Sequence, residues 1–289
     1  MTKLIAEIGC NHKGDMKIAK EMISIAGTFI KTDIVKFQKR NNRELLSEEE
    51  YNSPHPNHSN SYGSTYGEHR EFLELDIDQH KQLKKWCNEF GVEYSTSVWD
   101  ITSAREIIGI NPSLIKIPSA VNQNKPLLME LINNFKGEIH VSLGMTKPED
   151  VEKIVLLFEE HKRNNDMVIY ACTSGYPVSF EDICLFEISK LKEKYASRVK
   201  GIGFSGQHLG IAADIAALTL GVSYIERHYT LDRTWKGTDH SASLEADGLR
   251  KLCRDIKNVS KAFQYKKSPL LKVEEETFKK LKARNVCWE

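Results

Sequence analysis

Residues 114–142 read LIKIPSAVNQNKPLLMELINNFKGEIHVS, and this stretch indicates the fold. Two short, mainly apolar runs at 114–118 and 139–142 flank an amphipathic segment at 125–134. Strands of this kind are typical of a parallel sheet that is covered on both faces, and a helix between them is the crossover that such a sheet requires. The stretch therefore predicts one β-α-β unit.

The same alternation continues along the whole chain. The predicted strands are Leu4–Ile8, Ile34–Gln38, Val92–Ser95, Leu114–Pro118, Ile139–Ser142, Val168–Thr173, Val199–Phe204 and Ser223–Arg227. The predicted helices cover residues 16–28, 77–89, 101–108, 125–134, 148–163, 180–195, 209–220 and 245–263. Eight such pairs without a dividing Pro/Gly-rich linker predict an α/β fold, a single-domain (β/α)8 TIM barrel.

Two segments depart from this alternation. Residues 39–75 form a polar insert rich in Asn, Ser, His and Tyr, which is long for a barrel loop and is expected to act as a substrate-binding lid. Residues 264–289 form a charged C-terminal tail with a short helix, which is expected to be exposed. We therefore expect a barrel domain over residues 1–263, followed by the tail.

The composition excludes several classes of protein. The 289 residues include 41 Lys and Arg against 40 Asp and Glu, and a formal charge of +1 provides no field to hold a nucleic acid. The apolar runs are far shorter than the roughly 20 residues of a membrane helix. Because there is no signal-peptide pattern at the N-terminus and no CxxC pair among the six cysteines, we expect a cytoplasmic protein with reduced thiols that binds neither nucleic acid nor membranes.

Polar side chains cluster after the predicted strands, whose C-terminal ends meet at the one mouth of a TIM barrel where chemistry takes place. Lys36 and Lys116 end the second and fourth strands. Neighbouring strands end in the hydroxyl residues Thr96, Ser119, Ser142 and Ser174. A single lysine at a strand end is readily explained by a surface position or an ion pair. The whole set predicts a compact cationic cavity for a small phosphorylated anion such as phosphoenolpyruvate.

The last two predicted strands end in side chains suited to a divalent metal. The seventh is followed by SGQH at 205–208, and the eighth by ERHYT at 226–230. Imidazole and carboxylate groups that converge at the mouth can bind such an ion, although a lone His is more often a satisfied polar residue. The polar segment at 230–245 is expected to lie over the same mouth and includes Asp239.

Together these strings resemble the sialic acid synthase family, the N-acylneuraminate and N-acylneuraminate-9-phosphate synthases. The resemblance extends from residue 4 to about 262. The motifs that carry it are AEIGCNHKG at 6–14, KFQ at 36–38, YGEHREFLEL at 66–75, KIPS at 116–119, SLGM at 142–145, CTSGYP at 172–177 and ERHYTLDRTWKGTDHSASLE at 226–245. It implies a barrel transferase that condenses phosphoenolpyruvate with N-acetylmannosamine or its 6-phosphate, releasing phosphate and forming a nine-carbon 2-keto acid. It also implies a bound Mn²⁺ or Mg²⁺ and a homodimer.

The resemblance implies a role for individual residues. Phosphoenolpyruvate would be held by Lys36, Thr96, Lys116, Ser119, Ser142 and Ser174. The amino sugar would contact Gln38, Tyr176 and Asp239, and the catalytic carboxylates would be Glu7, Glu226 and Asp239. His228 matches one of two metal-binding histidines. Gln207 stands at the position of the other, so that either its amide oxygen or the neighbouring His208 would complete the metal site.

Two departures from the family pattern leave the acceptor open. Val121 stands where family members carry a Glu or Asp that contacts the sugar. The sequence also ends where many members continue into an antifreeze-like domain, so recognition of the N-acyl group is expected to be built differently. The alternatives are a synthase for another nonulosonate, of the legionaminate, pseudaminate or deaminated type, and a catalytically weak barrel that binds a sugar phosphate as a sensor or partner subunit.

Overall fold

The computed structural model describes residues 2–282 and confirms the predicted barrel. The strands are β1 Lys3–Gly9, β2 Ile34–Lys39, β3 Glu93–Val98, β4 Leu114–Ile117, β5 Glu138–Ser142, β6 Met167–Cys172, β7 Gly201–Gly206 and β8 Tyr224–His228. Each strand pairs in parallel with the next, and β8 pairs with β1, so the sheet closes into a barrel. All eight predicted strands are present, with ends within about three residues of the prediction.

The α-helices are α1 Met16–Ile25, α2 Asn42–Leu45, α3 Glu48–Asn52, α4 Tyr66–Leu73, α5 Ile77–Glu89, α6 Ile101–Ile110, α7 Lys125–Asn134, α8 Pro148–Glu160, α9 Phe186–Tyr195, α10 Ala212–Thr219, α11 Ala246–Ala262 and α12 Glu275–Thr277. Short 3-10 helices lie at His58–Asn60, Ser119–Val121, Asn164–Asp166, Glu181–Ile183, His240–Ala242 and Lys272–Glu274, and π-helical turns at Ala26–Ile30 and Phe278–Lys282. Some of the crossover helices begin at a side-chain cap, as at Asp76 and Asp100, whose carboxylates accept hydrogen bonds from first-turn backbone N–H groups.

The strands separate two apolar cores. Side chains that point outward pack against the helices in one large buried cluster. Six buried side chains form a second cluster inside the barrel: Ile5, Ile34, Leu114, Val168, Tyr170 and Tyr224. Because side chains on a strand alternate between its two faces, the residues two positions further along these strands also point inward, nearer the mouth. These residues are polar, and they include Glu7, Lys36, Lys116, Cys172 and Glu226.

The 39–75 insert is folded and lies beside the mouth. It contains α2, α3 and α4, and capping boxes at Ser47 and Thr65 begin α3 and α4. The backbone N–H of Asn41 donates to the Asp100 carboxylate at 2.7 Å, which ties the insert to the loop after β3. The insert therefore forms a wall of the mouth, and its function as a lid remains a prediction.

The tail continues beyond α11 as short turns. Residues 264–282 are mostly exposed and contain α12, so the helix predicted for the tail is a single turn flanked by 3-10 and π-helical turns. The rest of the predicted tail, residues 283–289, lies outside the described residues. We retain the division into a barrel over 1–263 and a tail as a proposal. Within residues 2–282, every helix is too short or too polar to cross a membrane.

Candidate active site

A cavity of about 340 Å³ opens at the C-terminal ends of the strands, and we call it the inner chamber. Four buried charged side chains from four strands line it: Glu7, Lys36, Lys116 and Glu226. Hydroxyl groups from further strand ends surround them: Ser97, Ser119, Ser142, Ser174 and Ser205. The barrel thus brings together both lysines, two of the carboxylates and three of the hydroxyl residues that the sequence singled out.

The four charged groups form one connected network. Lys36 Nζ lies 2.7 Å from Glu7 Oε2 and 3.6 Å from Glu226 Oε1, and it donates a hydrogen bond to Ser97 Oγ at 2.8 Å. Lys116 Nζ donates to Glu226 Oε1 at 2.7 Å. Because two ammonium groups face two carboxyl groups, the resting chamber is not the cationic cavity that the sequence predicted. An entering anion must compete with the carboxylates for the lysines.

The network separates the pKa values of the two carboxyl groups. Burial raises the pKa of Glu7, and the nearby Lys36 ammonium offsets this only in part. Burial acts on Glu226 in the same direction, but Lys116 and Lys36 outweigh it and lower the Glu226 pKa to about 2. Glu226 is therefore an ionised anchor for the lysines, whereas Glu7 takes up a proton at a higher pH than an ordinary glutamate.

Gly9 allows three polar side chains to meet at the end of β1. Its φ is 55°, in the left-handed region, at a shift in the β1–β2 register. A Cβ at this position would lie 2.9 Å from Gln38 Nε2, 3.1 Å from Glu7 Oε1 and 3.6 Å from Asp239 Oδ2. Gln38 Nε2 uses the open space to donate to Glu7 Oε1 at 2.9 Å, which orients this carboxyl group.

Gly144, in the SLGM motif at the end of β5, leaves space for two serine hydroxyl groups to approach each other. A Cβ there would lie 2.4 Å from Ser174 Oγ and 2.8 Å from Ser119 Oγ. The missing side chain leaves room for two hydroxyl groups, from the ends of β4 and β6, to converge on the inner chamber.

His228 lies at the edge of the inner chamber with an unsatisfied ring nitrogen. Its Nδ1 atom is buried without a hydrogen-bond partner, 3.8 Å from Asp239 Oδ2. Gln207 lines the same chamber. One imidazole nitrogen with carboxylate and amide oxygens fits a hard cation such as Mg²⁺ or Mn²⁺. Because no three His, Cys, Asp or Glu side chains converge as a metal site within residues 2–282, the Gln207 amide and water would supply the remaining ligands.

The structure does not bring His208 to this chamber. His208 Nε2 lies 3.1 Å from Arg227 Nη1 and 3.3 Å from Asp214 Oδ2, in a fully buried polar cluster. The amide of Gln207 is satisfied when its nitrogen donates to the carbonyls of Thr173 at 3.0 Å and Ser205 at 3.2 Å, which leaves its oxygen available as a ligand. Of the two alternatives for the second metal ligand, the geometry therefore favours Gln207 over His208.

At the end of β3, the structure places Ser97 and not the predicted Thr96 at the inner chamber. Ser97 lines the inner chamber and accepts the hydrogen bond from Lys36, whereas Thr96 is buried outside it. Successive side chains of a strand face opposite sides, so an error of one position moves the hydroxyl group from the mouth to the helix side. The register of β2 and β3, which pairs Ser97 with the predicted site residue Gln38, identifies the inward hydroxyl group.

A second cavity of about 340 Å³ lies beside the first, and we call it the outer chamber. The two chambers share the walls Gln38, Trp99 and Tyr176. Asp239, the third residue expected to contact the sugar, lines the outer chamber. The sequence reasoning missed most of the other polar lining, because these residues come from the insert and the 230–245 loop, where no periodic pattern marks an inward face: Arg40, His55, Tyr62, Tyr66, His69, Arg70 and Lys236.

The chain is similar to known proteins in both sequence and fold. A protein-family model described as the NeuB family matches residues 22–268. N-acetylneuraminate-9-phosphate synthase from Homo sapiens is 36% identical over 264 residues, which cover 90% of this chain and 70% of that protein. N,N'-diacetyllegionaminic acid synthase from Campylobacter jejuni is 30% identical, with 90% and 77% covered. The crystal structure of N-acetylneuraminic acid (sialic acid) synthetase from Leptospira borgpetersenii in complex with citrate superposes with a TM-score of 0.81 at 26% identity, over 98% of this chain and 93% of that one.

Proposed function

The chain belongs to the NeuB family of phosphoenolpyruvate-dependent nonulosonic acid synthases, which form carbon–carbon bonds, and we propose that its acceptor is an N-acylmannosamine or the corresponding 6-phosphate. The observation that carries the proposal is the inner chamber, where two buried lysines and a ring of serines surround a space of about 340 Å³. Such a space suits a small anion with one phosphate and one carboxylate. The roles of individual residues given below are part of the proposal.

Phosphoenolpyruvate would bind against Lys36 and Lys116. On entry of the anion, the ammonium groups exchange contacts with Glu7 and Glu226 for contacts with the substrate. Hydroxyl groups would donate further hydrogen bonds to the substrate from Ser97, Ser119, Ser142 and Ser174. These contacts fix carbon 3 of phosphoenolpyruvate toward the boundary with the outer chamber, and orientation of this kind lowers the barrier to bond formation.

The open-chain sugar would present its aldehyde at that boundary, beside Gln38, Tyr176 and Asp239. Carbon 3 of phosphoenolpyruvate attacks the aldehyde carbon, and water then adds to the electron-poor carbon 2. Glu7 accepts the proton from this water, because its raised pKa makes it the stronger base of the two buried glutamates. Glu7 then returns this proton to the alkoxide formed from the aldehyde oxygen. The bond between carbon 2 and the phosphate oxygen breaks, and phosphate leaves with the hydroxyl proton of carbon 2, which gives the 2-keto acid.

His228, Asp239 and the amide oxygen of Gln207 would hold the divalent cation that members of this family use. When bound, a Mg²⁺ or Mn²⁺ ion polarises the aldehyde oxygen as a Lewis acid. The carboxylate and amide oxygens favour these hard ions over Zn²⁺. We further propose that the enzyme is cytoplasmic and, as the resemblance implies, a homodimer.

A synthase for another nonulosonate is the second candidate, favoured by Val121. This residue, at the position where family members carry an acidic sugar ligand, packs against the helix-side core. Without that carboxylate, the chambers recognise the acceptor through other groups. The 30% identity to the legionaminic acid synthase from Campylobacter jejuni also supports this candidate.

Phosphate release from phosphoenolpyruvate with a panel of acceptors tests the proposal. The panel contains N-acetylmannosamine, its 6-phosphate, mannose 6-phosphate and a diacetylated bacillosamine-derived sugar. We expect phosphate and 2-keto acid in equal amounts only with an N-acetylmannosamine compound. Turnover of the bacillosamine-derived sugar alone would favour the second candidate, and mannose 6-phosphate alone would indicate a deaminated product. No turnover with any acceptor would contradict the proposal.

A further inference from the structure

The ammonium group of Lys116 lies over an aromatic ring beneath the inner chamber. Lys116 Nζ is 4.4 Å from the centre of the Tyr170 ring, and it donates a hydrogen bond to Glu226 Oε1 at 2.7 Å. Tyr170 belongs to β6 and is fully buried in the small apolar cluster inside the barrel, two residues before the chamber residue Cys172. The face of an aromatic ring carries negative charge density, so it attracts a cation, most strongly where water is excluded. Lys116 therefore has two partners inside the barrel, a carboxylate and a ring.

A chain of hydrogen bonds holds the Tyr170 ring in place. The hydroxyl oxygen of Tyr170 lies 2.7 Å from Nδ1 of His140, a fully buried residue of β5, and His140 Nε2 lies 3.2 Å from Glu138 Oε2. Glu138 is the first residue of β5, at the end of the barrel opposite the mouth. There it also accepts a hydrogen bond from the Tyr224 hydroxyl at 2.8 Å and lies 3.0 Å from Lys200 Nζ. The ring is thus tied through His140 to the far end of the barrel.

The protonation states give these hydrogen bonds one direction. Hydrogen bonds from His140 and Lys200 lower the pKa of Glu138 to about 2, so this carboxylate is ionised and only accepts. Burial lowers the pKa of His140 and raises that of Tyr170. At neutral pH the neutral imidazole therefore donates from Nε2 to Glu138 and accepts at Nδ1 from the Tyr170 hydroxyl. A phenol that donates in this way gains electron density on its ring, which strengthens the attraction for the ammonium.

Lys116 has fewer charged partners than Lys36. Lys36 contacts both Glu7 and Glu226, whereas Glu226 is the one carboxylate of residues 2–282 that pairs with Lys116. Burial lowers the pKa of Lys116 in spite of Glu226, but for Lys36 the two carboxylates outweigh burial and raise the pKa. When an entering anion takes the place of Glu226, the Tyr170 ring is the partner that Lys116 keeps.

We propose that Tyr170 is a positioning residue for Lys116, and that its ring holds the ammonium group at the inner chamber while phosphoenolpyruvate replaces Glu226 as the partner. This inference rests on the proposed function, which assigns Lys116 to phosphoenolpyruvate. The hydrogen bond to His140 fixes the angle of the ring, so the ring face stays beside the ammonium during the exchange. The chamber is lined by Lys116 and not by Tyr170, so Tyr170 acts on the substrate through Lys116.

A graded series of aromatic rings at position 170 tests the inference. The series is Tyr170→Phe, followed by the same variant with one and with three fluorine atoms on the ring, which withdraw negative charge from the ring face and barely change its size. The measurement is the Kd of phosphoenolpyruvate by isothermal titration calorimetry without acceptor. From phenylalanine to the trifluorinated ring, the Kd should rise in steps by a total of about tenfold, because the desolvated contact with the ammonium is lost. In turnover, the KM of phosphoenolpyruvate should rise in parallel, while the KM of the acceptor stays within about twofold.

The same series at Tyr224 is the matched control. Tyr224 belongs to the same apolar cluster and also bonds to Glu138, but its ring contacts His140 and not Lys116. Tyr224→Phe and its fluorinated forms should therefore all bind phosphoenolpyruvate with the same Kd. If Tyr170→Phe does not fold by circular dichroism, 3,5-difluorotyrosine at position 170 keeps the hydroxyl group and should likewise raise the Kd.

The outcomes separate the inference from the function on which it rests. A Kd that stays constant across the series at position 170 would show that the ring only fills space, and would overturn the inference. An equal rise in the series at Tyr224 would overturn it as well, because that ring does not contact the ammonium. Both results leave the proposed function intact. Failure of the wild-type enzyme to bind phosphoenolpyruvate would overturn the proposed function instead.

Discussion

Glu7 and Glu226 are the same type of side chain, yet the barrel gives them different acid strengths. Lys116 and Lys36 lower the pKa of Glu226 to about 2, while burial raises the pKa of Glu7. Two buried carboxyl groups with separated pKa values are typical of a site in which one holds charge and the other moves a proton. The difference arises from the positions of two ammonium groups, which no local sequence pattern around either glutamate shows.

Glu7 must be ionised to accept the proton from water, so activity should be lost as the pH falls through its raised pKa. We expect Glu7→Gln to lower kcat by about 10²- to 10⁴-fold and to remove this acid limb from the profile of kcat/KM against pH. The measurement is phosphate release across the pH range in which the fold is intact by circular dichroism. Glu106→Gln, a more exposed carboxyl group outside both chambers, is the control and should keep the wild-type profile. An unchanged acid limb in Glu7→Gln would remove Glu7 from the proton transfer.

The metal site makes a second prediction at the residue scale. His228→Ala should abolish the dependence of turnover on a divalent cation, because it removes the imidazole whose Nδ1 atom lies 3.8 Å from Asp239 Oδ2. Gln207→His should keep activity and tighten binding of the ion, because an imidazole nitrogen is the stronger ligand for Mn²⁺. Titration of chelator-treated protein with Mn²⁺ or Mg²⁺ measures both effects. If chelator-treated wild type kept full turnover and added metal changed nothing, the metal assignment would be withdrawn while the lysine site still stood.

At the scale of elements, the insert contacts the loop after β8 and lines the outer chamber together with it. Tyr62 donates a hydrogen bond to the Lys236 carbonyl, so the insert and the 230–245 loop meet across the outer chamber. We expect ligands to hold these two walls together and to slow proteolytic cleavage within residues 39–75. Limited proteolysis with and without phosphoenolpyruvate and acceptor measures the effect, and cleavage in the exposed segment 264–270 is the internal control. Equal rates of insert cleavage in both conditions would indicate a purely structural segment.

The strands and helices were largely predictable because their patterns are local. Most strands of the barrel are buried on both faces and contain a short apolar run, and Asp caps mark the starts of helices such as α5 and α6. Helix α9 begins six residues later than predicted, at Phe186 instead of 180. A 3-10 turn and Cys184 in the left-handed region, with φ of 52°, occupy the start of the predicted helix.

The chambers were predictable only in part. The two lysines could be found because they end apolar strands. The position of Arg40 beside Arg70, where both contact Glu74, depends on the path of the insert. The insert sequence has no repeating pattern from which this path could be predicted. The sequence does not distinguish Thr96 from Ser97 as the site residue, because both are hydroxyl residues and only the strand register separates them.

At the scale of the molecule, the lysine–glutamate network couples activity to stability. Lys116→Met removes one partner of a buried charge pair and should cost about 3–5 kcal/mol of unfolding free energy, together with an activity loss of at least about 10²-fold. The double variant Lys116→Met/Glu226→Gln should recover most of the stability and none of the activity, because it removes both charges. Denaturant unfolding and phosphate release measure the two effects.

Lys81→Met is the control for this experiment, because it breaks an exposed pair with Asp78 and should change stability little. A double variant that stayed as unstable as Lys116→Met would show that an unpaired charge is not the cause of the loss. An activity loss below about tenfold in Lys116→Met would contradict the assignment of this lysine to substrate binding.

The barrel closes where its first strand meets its last, with Glu7 paired to His228. A ribosome synthesises about 5–20 residues per second, so roughly ten seconds or more separate the appearance of β1 from that of β8. Any sheet that forms from the emerged strands during this interval has two open edges, which can pair with other chains. We therefore expect high-level expression to depend on chaperones that shield the unclosed sheet during translation.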